Sequence, residues 1–122
     1  MSQSPPTAPR AERPEDITGL LVECMAAGDA EGMAALYEPE AVIAYPPGQT
    51  TVGRDAIRGF YQAMIDKGIR FAPEPPLPSL VLGELALTAT VAKDLDGARA
   101  QVARRQPDGR WLRILDRPTF RG

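Results

Sequence analysis

The chain has 122 residues, with 43% apolar and 25% charged side chains, which suits one domain able to bury a core. It contains no histidine, a single cysteine (Cys24) and three serines (Ser2, Ser4 and Ser79). That inventory excludes a histidine general base, Ser-His-Asp and Cys-His machinery, and any zinc site built on histidines or paired cysteines. Proton transfer would fall to Asp, Glu, Tyr, Lys or Arg, or to water held by them.

The net charge is −2, but its two signs are separated along the chain. Residues 1–96 carry 7 basic and 14 acidic residues, whereas residues 97–122 carry 7 arginines and 2 aspartates. A basic C-terminal hairpin serves either an anionic ligand or internal pairing with the acidic helices. Overall acidity, and arginines without interleaved aromatics, argue against nucleic-acid binding. No run of 18 apolar residues exists, so no membrane span is expected. A lone cysteine supports no internal disulfide and fits a cytoplasmic location.

Residues 1–13 include three prolines and no large apolar residue after Met1, which predicts a disordered or loosely attached tail, with the domain over 14–122. Pro14, Glu15 and Asp16 suit a first helical turn, and Ile17, Leu20, Leu21, Cys24 and Met25 follow at helical spacing. Cys24 lies on that stripe, as buried filler. Gly28 ends this helix, and Asp29 caps a short second one carrying Met33, Leu36 and Tyr37, stopped by Pro39. Residues 41–45 read as a strand closed by Pro46-Pro47-Gly48. A third helix opens at Asp55, with Ile57, Phe60, Tyr61, Met64 and Ile65 on one side and Gly68 as its stop.

Strands follow: a short one over 69–72, then 80–83, 85–93, 98–106 and 110–117, with the proline-rich stretch 73–78 at an edge or in a loop. Helices first and an antiparallel meander after them predict an α+β fold, three N-terminal helices packed on one face of a curved sheet. Asp108-Gly109 between two strands signals a two-residue hairpin turn. That turn opposes Pro107 and Arg110, Arg105 and Leu112, Ala103 and Ile114, and Gln101 and Asp116. Alternation then puts Arg99, Gln101, Ala103, Arg105, Leu112, Ile114 and Asp116 on one face. Trp111, Arg113 and Leu115 fall on the other.

Three stretches resemble the nuclear transport factor 2-like superfamily, in its SnoaL-like and ketosteroid isomerase-like branch. They are the segment 26–37 around Gly28-Asp29, the segments 38–46 and 53–61, and the closing hairpin 104–118 with its Asp108-Gly109-Arg110-Trp111. The resemblance implies a cone-shaped α+β half-barrel enclosing a pocket, often a homodimer through the outer face of the sheet, with no cofactor.

Position by position, the superfamily's catalytic sets are incomplete here. The isomerase base falls on Tyr45, its oxyanion-hole tyrosine on Leu21 and its protonated aspartate on Gln101. The epoxide hydrolase-like pattern keeps Asp116, but its Arg-x-Asp pair falls on Thr90 and Ala92. The cyclase-like pattern keeps an aspartate at Asp116 and lacks its histidine.

Asp116 is therefore the one catalytic candidate, as acid or base. Its other roles are ligand hydrogen bonding, or a structural carboxylate held by Arg99, Arg105 or Gln101. The expected ligand-binding set is Tyr45, Tyr61, Gln101, Arg105, Leu112 and Ile114, and the expected ligand is a small hydrophobic or cyclic molecule. Trp111 is expected at a subunit contact or against a helix. Asp94 and Asp96 beside Gly97 read as a turn, so no metal site is expected. Three functions remain open: a ligand-binding module with an internal apolar pocket; an accessory isomerase, cyclase or hydrolase using Asp116 on a small cyclic or polyketide-like substrate; and a protein-interaction domain using the basic hairpin.

Overall fold

The computed structural model describes residues 10–91 and 99–118. Three helices, α1 (Asp16–Ala26), α2 (Ala30–Ala34) and α3 (Arg54–Asp66), pack on a six-stranded sheet. Its strands are β1 (Tyr37–Ile43), β2 (Thr51–Val52), β3 (Leu80–Leu82), β4 (Leu85–Thr90), β5 (Arg99–Arg105) and β6 (Trp111–Arg117). The spatial order is β2-β1-β6-β5-β4-β3, antiparallel except for the parallel β1–β6 pair. This is the expected α+β architecture. No helix among the described residues is long and apolar enough to cross a membrane.

The helices form as their sequence dictates. Asp29 accepts a hydrogen bond from the Gly32 N–H and caps α2, and Gly28 and Gly68 take the left-handed backbone needed after α1 and α3. Ile17, Leu21 and Met25 of α1 join Met33, Leu36, Ile57 and Tyr61 in one buried cluster, which also takes Cys24. Ala86 and Ala103 present small side chains on the helix-facing side of the sheet, so helices and strands approach closely.

Tyr37 departs from the helical expectation. The helix stops at Ala34, and the chain turns into β1 because β6 offers partners: the Arg113 N–H donates to Leu36 O, and Tyr37 sits opposite Arg113. Pro39, read as a helix stop, lies inside β1 where its pairing with β6 shifts register. β2 is too short to carry a periodic signal, and residues 69–72 form no strand.

The closing hairpin differs at two places. Gln106, not Pro107, opposes Arg110: the Gln106 N–H bonds Arg110 O, and Gly109 in the left-handed region completes a three-residue loop. Further along, Ala103 pairs with Arg113 and Val102 with Leu115, so Ile114 is an unpaired bulge. The second shift cancels the first, which restores the expected Gln101–Asp116 pair. Between the two, the β6 residues change face while those of β5 keep theirs.

Of the expected tail, residues 1–9 lie outside the described residues, as do Asp94 and Asp96. Ala11, however, is only 1% exposed, and its carbonyl accepts from the Trp111 N–H. Residues 10–13 are thus attached to the domain, and Trp111 packs in the core cluster with Ala11. A chain beginning at Pro14 should melt about 5 °C below one beginning at Arg10, from loss of about 1 kcal/mol of burial and pairing; calorimetry on the two truncations checks this.

Candidate functional site

Helix layer and sheet separate at one end around a half-enclosed cavity of about 490 Å³. The apolar wall comes from α1 (Leu21, Val22), β1 (Ile43) and α3 (Phe60, Met64), with Phe71 beyond α3. Aromatic rings run along it in sequence: Tyr45 to Phe60 at 5.5 Å, Phe60 to Tyr61 at 5.0 Å and Tyr61 to Phe71 at 6.2 Å between centroids.

At the inner end Asp116, 6% exposed, organises a polar cluster. The Tyr37 hydroxyl donates to Asp116 Oδ2 at 2.6 Å, and Arg113 Nη1 donates to the same oxygen at 3.2 Å. Tyr37 has one hydroxyl hydrogen, already given to Asp116, so the 2.6 Å contact between the two tyrosine hydroxyls is a bond from Tyr61 to Tyr37. Arg113 Nη2 reaches Thr18 Oγ1 on α1 at 2.8 Å. Asp116 Oδ1 and Arg113 Nε are buried without a partner among the described residues.

Burial first, and then the Asp116 charge, push both the Tyr37 and Tyr61 hydroxyls above the usual value of 10, so both stay neutral. For Arg113, burial alone would favour loss of the proton. Asp116 is the largest of the influences opposing that, and the net effect is a raised pKa.

A second cluster lies on the sheet side of the cavity. The proline-rich segment folds across the sheet edge, where the Leu77 N–H donates to Ala89 O and Pro76 bridges to Thr90. This brings Glu74 to Thr90 Oγ1 at 2.9 Å and into an ion pair with Arg99. Gln101, which lines the cavity, accepts from Thr88 Oγ1 at 2.6 Å, and its amide nitrogen has no hydrogen-bond partner among the described residues.

Of the residues expected at the site, Asp116, Tyr45, Tyr61 and Gln101 line the cavity, with Tyr45 at its rim, 36% exposed. Arg105, Leu112 and Ile114 do not line it. Arg105 is exposed and pairs with Glu84, Leu112 opposes Arg104 on the far face, and Ile114 is the bulged residue. For Leu112 and Ile114 the expectation failed because it assumed strict alternation along β6, which the turn and the bulge both break. Arg105 keeps its face with Gln101 and Ala103 but sits at the hairpin end of β5, outside the cavity lining. The bulge also carries Arg113, assigned to the outer face, to the same side as Asp116. Tyr37, Thr18 and Glu74 were missed as well; Arg99, expected on this face as a holder of Asp116, pairs with Glu74, and Arg113 takes that role. Arg104 pairs with Glu38 and Arg105 with Glu84, so the basic hairpin is largely matched by acids from the preceding part of the chain. Among the described residues no group of three or more Cys, Asp or Glu side chains is placed to hold a metal ion.

A conical α+β layer pair with a cavity between helices and sheet is the nuclear transport factor 2-like fold, and solved structures of that kind superpose on this chain. One is a nuclear transport factor 2-like protein with a cystatin-like fold from Novosphingobium aromaticivorans, with TM-score 0.65 and 20% identity, covering 88% of this chain and 80% of that one. Another is a proposed calcium/calmodulin-dependent protein kinase type II association domain from Thiobacillus denitrificans, with TM-score 0.68, 18% identity and coverage of 90% and 98%. A third, a proposed dehydratase of the same family from Streptomyces avermitilis, gives TM-score 0.62, 18% identity and coverage of 85% and 92%. The SnoaL-like domain profile matches residues 20–116, and the chain belongs to that family. No curated protein sequence matches it.

The raised tyrosines make a testable link to stability. Unfolded phenols ionise near pH 10, whereas Tyr37 and Tyr61 hold their protons in the fold. Above pH 10 the unfolded chain binds fewer protons than the folded one. The stabilisation is therefore complete below about pH 10 and is lost as pH rises beyond it. In an alkaline titration, phenolate absorbance from these two residues should rise together with the loss of circular dichroism. The coupled step should vanish in Tyr37→Phe/Tyr61→Phe.

Proposed function

We propose that this protein is a small-molecule-binding domain whose ligand enters the cavity between α1, α3 and the sheet. One observation carries the reading: a half-enclosed, mostly apolar cavity of about 490 Å³ with a few polar groups at its inner end, the usual composition of a ligand site. Asp116 Oδ2 is already shared by Tyr37 and Arg113, and the Tyr61 proton is given to Tyr37. Such a network favours fixed hydrogen-bonding positions over proton transfer. Apolar cyclic compounds should raise the melting temperature of the protein. Val22→Trp, which fills the cavity from α1, should remove that shift while leaving the circular dichroism unchanged.

A second reading, an accessory enzyme of the isomerase or dehydratase kind, is favoured by Asp116 Oδ1, a buried carboxylate oxygen without a partner among the described residues. The fold is shared with a structure described as a proposed dehydratase, which is compatible with this reading. Any compound found to bind distinguishes the two. Recovery unchanged after prolonged incubation supports binding alone; conversion that stops in Asp116→Asn supports chemistry.

The same proposal includes a second copy of the chain on the outer face of the sheet. One apolar row crosses all six strands there, through Val52, Val42, Leu115, Val102, Leu87 and Leu80 in order. Leu80 is 68% exposed, and Leu82, on the same face, 84%. So continuous an apolar band, rather than scattered residues, suits a self-complementary two-fold contact. The Thiobacillus structure, described as a proposed association domain, is compatible with association through this fold. Sedimentation at micromolar concentration should give a dimer, and Leu82→Glu/Leu87→Glu should give a folded monomer.

A further inference from the structure

The chain as a whole is acidic, with a net charge of −2, yet the lining of its cavity is not. The side chains facing it include Arg70, Arg99 and Arg113 against Glu74 and Asp116, formally one positive charge in excess. Two of these arginines are spoken for within the wall: Arg99 pairs with Glu74, and Arg113 with Asp116. Arg70 is not. It follows the Gly68 turn after α3, is exposed at the cavity mouth, and its only hydrogen bond among the described residues goes to the adjacent Ile69 carbonyl. No carboxylate among them lies within ion-pair distance of it.

The aromatic residues are equally concentrated. The chain has only three tyrosines, three phenylalanines and one tryptophan. Tyr45, Phe60, Tyr61 and Phe71 all line this one cavity, and Tyr37 stands behind Tyr61. Rings pack on rings with offset or edge-to-face geometry, so such a wall selects flat cyclic bodies over branched aliphatic ones. Further in, the free Gln101 amide is a neutral donor, and the Tyr61 oxygen, its own proton given to Tyr37, is a neutral acceptor.

We infer that the cavity takes a planar, ring-containing monoanion, its carboxylate or equivalent group at Arg70 and its ring against Phe60 and Phe71. The inference rests on the binding reading above and adds charge and shape to it. A guanidinium is suited to the anionic end because it can bond a carboxylate through two N–H groups at once. Its place at the mouth lets the anion keep part of its hydration, so binding avoids the cost of burying a full charge. The ring goes inward, toward groups that are neutral or already internally paired.

The test is isothermal titration calorimetry with 2-naphthoate and its uncharged analogue 2-naphthamide, near pH 7 at low salt. Naphthoate should bind at least about tenfold more tightly than the amide. Arg70→Gln, a change at an exposed position, should abolish that preference while leaving amide affinity unaltered, and Arg70→Lys should keep part of it. The preference should shrink as salt is added, as expected of an ion pair near solvent. Equal affinity for the two compounds, or a preference that survives Arg70→Gln, overturns the anion assignment while leaving the cavity reading intact. If neither ring binds, this inference and the binding reading fall together. Binding that persists unchanged in Val22→Trp places the rings outside the cavity and overturns the inference as well.

Discussion

The Asp116 side chain is the point on which the arrangement of the layers depends. Its Oδ2 receives hydrogen bonds from Tyr37 of β1 and Arg113 of β6; Tyr37 in turn receives one from Tyr61 of α3, and Arg113 reaches Thr18 of α1. Four elements distant in sequence are thus tied by one carboxylate and four other side chains. Apolar packing supplies most of the stability, but it is non-directional and would tolerate the helices sliding over the sheet. Hydrogen bonds of 2.6–3.2 Å do not. Burying the ion pair costs desolvation that its attraction only partly offsets, so its contribution lies in fixing a geometry rather than in adding net stability. Arg54 extends the same control: its guanidinium donates twice to the Tyr37 carbonyl and holds the backbone of the residue whose hydroxyl meets Asp116.

That geometry requires the bulge. Arg113 and Asp116 are three residues apart, and in a regular strand an odd separation puts side chains on opposite faces. Ile114, left unpaired between them, turns the strand so that both point inward. A single extra residue in β6 therefore creates the ion pair at the inner end of the cavity.

How much of this was legible in the sequence follows from which signals are local. The helical stripes of α1 and α3, the Asp29 cap and the glycine stops are written in neighbouring residues, and they appear where the pattern puts them. The resemblance in three stretches likewise carried the fold, because each matched a whole element in the right order. The site was only half legible. Asp116 and Gln101 were paired correctly, yet the pairing came out right because a longer turn and a bulge offset each other. Leu112 and Ile114, lying between those two irregularities on β6, were placed on the wrong side, whereas Arg105 keeps its expected face and lies outside the cavity lining. Tyr37 was unreadable for another reason. Its spacing from Met33 continues a helical stripe, and only the β6 backbone, about 75 residues away in the sequence, makes it a strand residue. Glu74 lay in a stretch whose prolines argued only for an edge, and the contact with Arg99 depends on how that edge folds back.

The sheet divides its two faces between different tasks, and the same alternation serves both. Along β4, Ala86, Thr88 and Thr90 face the helices and the cavity, while Leu85, Leu87 and Ala89 face outward. Small and polar residues on the inner face keep space open and supply hydrogen bonds; a row of large aliphatic residues inside would have filled it. The outer face, free of that demand, carries the leucines and valines. Gln101 and Val102 are neighbours on β5, and Asp116 and Leu115 on β6, so the strands that present the inner polar groups are the same ones that carry the middle of the outer apolar row.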